Sequence, residues 1–89
     1  MYQQTSRLAY EELVSTGQIS KRQAQVLNAF VEYPFPMTNQ DVSNYTKLPI
    51  NCVTPRVLEL RDRGLLQKAY VKKEGRPAIA WKIAYDIAL

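Results

Sequence analysis

Three cations, Lys72, Lys73 and Arg76, fall within five positions of a polar stretch that also holds Gly75 and Pro77. Cations gathered on a turn neutralise neighbouring phosphates, an interaction that weakens as salt rises; an ordinary solvated turn is the plainer alternative. Upstream, Asn51, Thr54 and Arg56 stand polar among Val53, Val57 and Leu60. Asn51 is suited to an adenine edge, Thr54 to a base methyl or a phosphate, and Arg56 to either base or phosphate. Each also has a plainer role: Asn51 as a helix cap, Thr54 in a local backbone hydrogen bond, Arg56 as a solvated charge. Thr38, Asn39 and Gln40 form a third set, fit for phosphate through their side chains or through the free amides at the start of a helix.

The missing residue types exclude other chemistry. The chain has no histidine, so the commonest general base and the commonest metal ligand are both absent. Cys52 is the only cysteine; it allows neither an internal disulfide nor a thiolate cluster and suits a reducing, cytoplasmic setting. No nucleophile–base pair, phosphate loop or metal-ligand cluster is visible, which argues against an enzyme and against a metal or other cofactor. No apolar run approaches the roughly 18 residues of a membrane helix, and the start Met1-Tyr2-Gln3-Gln4 is not that of a secretory leader. The length of 89 residues, with 46% of them apolar, corresponds to one domain spanning 1–89.

The elements that must hold the three polar sets follow from periodicity and capping. Leu8, Ala9, Leu13 and Val14 roughly keep helical spacing from Thr5 to Thr16, and Gly17 can close that helix. Ser20 with Gln23 has capping-box spacing, and Ala24, Leu27, Phe30 and Val31 make one apolar face until Pro34. Two prolines force Tyr33-Pro34-Phe35-Pro36-Met37 into an extended connection, with Phe35 or Met37 packing inward. Thr38 and Asp41 open another helix, which ends near Lys47. A further helix runs from Asn51 to Gly64: Asn51 is preferred as its cap, with Pro55 at the fourth helical position and a slightly distorted first turn, over Thr54, which would put Pro55 at the first. The runs Leu65 to Val71 and Ala78 to Ala84 read as strands, with Ile79, Trp81 and Ile83 alternating against Ala80 and Lys82. The polar stretch from Lys72 to Pro77 is the turn between them. Tyr45 and Tyr70 fall at core or strand positions, so base stacking by either would require exposure.

A three-helix core followed by a C-terminal β-hairpin is an α+β, winged helix-turn-helix arrangement, with the helix-turn-helix over about residues 38–63 and the wing over about 65–84. Thr38 to Ser43, Ile50 to Val57, the Leu60-Arg61-Asp62-Arg63-Gly64-Leu65-Leu66 run and Gly75 to Trp81 resemble the winged-helix domains of MarR-like regulators and small phage-encoded proteins. That resemblance implies double-stranded DNA as partner: the last helix in the major groove and the hairpin on the backbone or minor groove. MarR-like proteins generally dimerise through extra terminal helices; here only residues 1–16 and the tail 83–89 are candidates for a homodimer seam.

Charge distribution supports the same end of the chain. The formal net charge is +4; residues 1–46 sum to −1 and residues 47–89 to +5. The excess coincides with the expected recognition helix and wing. Arg61 and Arg63 lie far along the helix, where Asp62 and Glu59 can pair with them. The competing function is that of a winged-helix module docking a protein, which requires a contiguous exposed apolar patch.

Overall fold

The computed structural model describes residues 10–84. Helix α1 occupies 10–15 within that range and ends at Gly17, whose φ of 70° lets its amide reach the Val14 carbonyl at 3.1 Å. The expected start of this helix at Thr5, and most of both candidate dimer segments, lie outside the described residues.

Helix α2, Lys21–Glu32, opens on the capping box anticipated for it: Ser20 Oγ accepts from the Gln23 amide at 3.1 Å, and Gln23 Oε1 accepts from the Ser20 amide at 2.8 Å. It buries Val26, Leu27, Ala29, Phe30 and Val31, and Tyr33 turns extended ahead of Pro34. In the connection that follows it is Met37 that packs inward, while Phe35 is 61% exposed. Met37 also exchanges two backbone hydrogen bonds with Trp81, of 3.0 and 2.9 Å, so the connection runs along the hairpin as a one-residue strand.

Helix α3, Asn39–Thr46, carries the second anticipated capping box, Thr38 with Asp41, and stops at Lys47 in the left-handed region with φ of 66°. Helix α4, Ile50–Asp62, starts earlier than expected. Pro49 takes the cap position, and its carbonyl accepts from the amides of Cys52 and Val53 at 2.9 and 3.1 Å. Proline suits this site because its extended φ and ψ of −65° and 150° are what a cap residue needs, and a missing amide costs nothing there. Asn51 is therefore the second helical residue and caps nothing. Pro55 becomes the sixth, and its ring removes the bond that an amide at this position would donate to the Asn51 carbonyl.

Strands β1, Leu66–Lys73, and β2, Arg76–Ile83, pair antiparallel, with Leu66 opposite Ile83 and Lys73 opposite Arg76. The polar stretch from Lys72 to Pro77 is mostly strand rather than turn. Only Glu74 and Gly75 form the loop, with φ of 55° and 78°, the two positive values that a type I′ turn requires and that match the natural twist of a hairpin. Simple alternation along β2 also fails: Ala80 is fully buried, whereas Ile79 is 50% exposed. Ile79 pairs with Tyr70 toward the tip, where the hairpin has run past the helices that cover Leu66 and Trp81.

Four helices followed by a two-stranded hairpin make this an α+β, winged-helix fold among the described residues. Phe30 and Leu27 from α2, Val42 from α3, and Val53, Val57 and Leu60 from α4 meet Leu66 and Trp81 of the hairpin in one core. Each fully buried side chain of this size contributes about 1.5–3 kcal/mol relative to exposure. This core fixes α3, α4 and the wing relative to one another, and so positions the three polar sets.

Candidate nucleic-acid interface

At the start of α3, Thr38 is occupied as a cap: its hydroxyl accepts from the Asp41 amide at 3.1 Å, and its own amide donates to Asp41 Oδ2 at 3.0 Å. Asn39 reaches across to α4, donating through Nδ2 to Thr54 Oγ1 at 3.4 Å, while its Oδ1 is buried with no hydrogen-bond partner. Gln40 is exposed and donates along its own helix to Asn44 at 3.2 Å. Asn39 and Thr54 are thus brought together as a link between the two helices, and Thr54 takes the role of acceptor in that link.

The polar residues of α4 do not share a face. At 3.6 residues per turn, positions 54 and 56 point about 200° apart. Their partners bear this out: Thr54 meets α3, and Arg56 leans to the opposite flank. There its guanidinium donates two hydrogen bonds of 2.9 Å to the Glu59 carboxylate, which also accepts from Gln23 of α2 at 2.9 Å. Hydrogen bonds from Arg56 first, and then Gln23, hold the Glu59 carboxyl below its ordinary range. Asn51 alone of the three is exposed. Its neighbours on the outer surface of α4 are Ile50 and Leu58, 41% and 38% exposed, with Pro55 and Asp62. The cation nearest that strip in azimuth is Arg61, near the C-terminal end of the helix, and it pairs with Asp62. Spacing of 50, 54 and 58 along a helix was the available signal, hidden because Ile50 read as part of the connection.

Beyond α4, Arg61 lies over the Trp81 ring at 6.0 Å and pairs with Asp62 at 2.8 Å, while Arg63 donates to the Gln18 carbonyl. Glu59 pairs with Arg56 and with neither of these arginines.

The wing holds the uncommitted charge. Lys72 and Arg76 are exposed, and no described residue pairs with either. Lys68, which the sequence reading passed over, is in the same condition. Strand alternation puts Lys68, Tyr70 and Lys72 on one face of β1, a period-two signal that was present in the sequence. Lys73 is committed: its ammonium donates to Asp41 Oδ1 at 3.0 Å, tying the wing to α3. Burial pushes the Asp41 carboxyl up, but the Thr38 amide, Lys73 and the Thr38 hydroxyl together hold it below its ordinary range. Thr38, Asn39 and Gln40 at the start of α3 and Lys73, Ile79 and Trp81 of the hairpin line an open groove of about 580 Å³. The structure therefore assembles the start of α3 with the wing, while Asn51 stands apart on the outer surface of α4 and Arg56 on its α2 flank.

Among the described residues no group of three or more His, Cys, Asp or Glu is placed to hold a metal ion, and no helix is long and apolar enough to cross a membrane. No protein-family model matches the sequence, and neither does any curated protein at a significant level. Among solved structures, the chain is similar to a possible transcriptional regulator from Methanosarcina mazei Go1, at a TM-score of 0.68 and 20% identity, over 88% of this chain and 72% of that one. A likeness of this kind at such low identity is one of fold, and the fold shared is the winged helix.

Proposed function

We propose that this chain binds double-stranded DNA as a small regulator of transcription or an accessory factor of the MarR-like or phage type. The outer, N-terminal part of α4 enters the major groove, and the wing rests on the adjoining backbone or minor groove. One observation carries this reading: Lys68, Lys72 and Arg76 project unpaired from a hairpin that Lys73 ties to the start of α3. Unneutralised cations on both faces of the hairpin, Lys68 and Lys72 on one and Arg76 beside Lys73 on the other, suit the phosphates that flank a groove-bound helix. In this reading Asn51 is the base-reading side chain, and Gln40 with the first amides of α3 meets phosphate. Arg56 serves α4 itself through Glu59. The similarity to a possible transcriptional regulator agrees with the reading at the level of fold.

Titrating a mixed-sequence duplex at several salt concentrations tests it. Affinity should fall steeply with salt, and the Lys72→Ala, Arg76→Ala double variant should flatten the slope by about two, near one per phosphate contact. A wild-type slope near zero, or no binding, overturns the reading.

A second reading has its own observation. The outer surface of α4 exposes the apolar residues Ile50, Pro55 and Leu58, as a protein-docking helix would, and its Arg61 is paired with Asp62. On that reading Leu58→Asp abolishes partner binding, and charge reversal of Lys72 and Arg76 leaves it intact.

A further inference from the structure

The duplex reading leaves three aromatic rings without employment. Tyr33, Phe35 and Tyr45 are 44%, 61% and 45% exposed, although residues of this kind are normally drawn inward. They touch one another: the Tyr33 ring meets Phe35 edge-on with centroids 5.3 Å apart, and meets Tyr45 at 6.3 Å. The prolines on either side of Phe35 hold this connection extended, which keeps its ring in solvent. Tyr45 projects from α3 about 120° around the helix axis from Asn39, the residue that links to α4.

Tyr33 and Tyr45 form one wall of an open groove of about 480 Å³; Lys72 and Lys73 of β1 form the other, with Pro36 and Asn44 between. The acids near the groove are already engaged. Glu32 accepts from the Tyr45 hydroxyl at 3.2 Å, and Asp41 accepts from Lys73 at 3.0 Å. Lys72, which forms no ion pair with a described residue, faces the groove across from the rings, while Glu32 keeps its charge beside Tyr45.

Aromatic faces next to backbone-neutralising cations suit an unstacked nucleic-acid strand, because every base has a π-face and every nucleotide a phosphate. A duplex offers the phosphates but keeps its bases stacked and out of reach. An apolar peptide would use the rings and leave Lys72 idle. We infer that this groove receives a short unpaired stretch of DNA continuing from the duplex held by α4 and the wing. The site rests on the duplex reading and extends it: the preferred ligand is a junction of double- and single-stranded DNA.

The test compares a blunt duplex, the same duplex with a short single-stranded extension carrying a fluorescent adenine analogue, and the single strand alone. The extension should tighten binding by about five-fold or more, the equivalent of one stacked base, and change the analogue's fluorescence. Tyr33→Ala and Tyr45→Ala, which remove the two rings that line the groove, should each remove that gain and leave blunt-duplex affinity as it was, while Tyr45→Phe, which keeps the ring, should retain it. An extension that adds nothing overturns the inference while blunt-duplex binding keeps the parent reading intact. A gain that survives both alanine variants also overturns it. Ring-dependent binding of the single strand with no duplex binding retains this site and overturns the parent reading; no binding to any of the three ligands ends both.

Discussion

The Asp41 carboxylate is divided between two tasks: one oxygen accepts from the Thr38 amide at 3.0 Å to close the cap of α3, and the other accepts from Lys73 of the wing at 3.0 Å. A single side chain thereby sets the start of a helix and the approach of the hairpin. It also neutralises one of the wing's cations.

Asp41→Asn separates these tasks, since the amide oxygen can still accept from Thr38 while Lys73 is released. The pair is partly exposed, so the loss of stability should stay under about 1 kcal/mol by urea denaturation. Duplex binding should become more salt-dependent, by about one in slope, as Lys73 finds a phosphate. An unchanged slope would place Lys73 away from the DNA.

Acid should weaken the fold through Asp41 and Glu59. Both carboxyls are held below their ordinary values, so their charged forms stabilise the native state. That contribution is complete above the unfolded values near pH 4 and disappears as pH falls through the lower native ones. Glu59→Gln should therefore lose less stability than wild type between pH 7 and about pH 3. Equal losses in denaturant titrations at the two pH values would refute the assignment.

The turn offers a pair of opposite effects. Gly75→Ala forces a Cβ into φ of 78° and should cost about 1 kcal/mol or more; no heavy atom lies within 4 Å of the added carbon, so the penalty is one of backbone conformation. Glu74 holds φ of 55°, which asparagine tolerates better, so Glu74→Asn should raise stability by a few tenths to about 1 kcal/mol. Thermal melting of both variants checks the signs.

Asn51 and Arg56 should part company in a selection of bound sequences from random duplex DNA. Asn51→Ala should cost about 1–3 kcal/mol of discrimination at one base pair with little effect on folding. Arg56→Ala should keep the sequence preference and lower stability by freeing Glu59 and Gln23. Preference lost in the Arg56 variant would return base reading to that side chain.

Most of the fold was legible because its signals are local. Ser20 with Gln23 and Thr38 with Asp41 lie three residues apart and form the boxes their spacing implies. Leu65 and Leu66 after Gly64 correctly marked the start of the wing's buried base. Errors arose where one residue admits two local roles. Pro49 could close a connection or cap a helix, and choosing the first displaced Asn51. Lys72 and Arg76 read as turn because they are polar, although the two positive-φ positions needed for a tight hairpin leave room for strand on either side. The candidate site was harder to read, because it depends on partners distant in sequence. Glu59 is three positions from Arg56 and was visible, but Gln23, which orients it, is 36 residues away. Tyr45 and Tyr70 looked like core or strand positions; they are 45% and 65% exposed because α3 is short and the wing outruns its cover.

Met37, bonded on both sides of its backbone to Trp81, is also the residue immediately before the cap of α3. The wing and the helix are consequently geared to each other through a lever one residue long. A load that bends the hairpin toward a bound ligand is delivered to Thr38 and the first turn of α3, rather than dissipated in a loop. Amide exchange at Met37 and Trp81 should therefore slow together when a ligand engages only the tip of the wing.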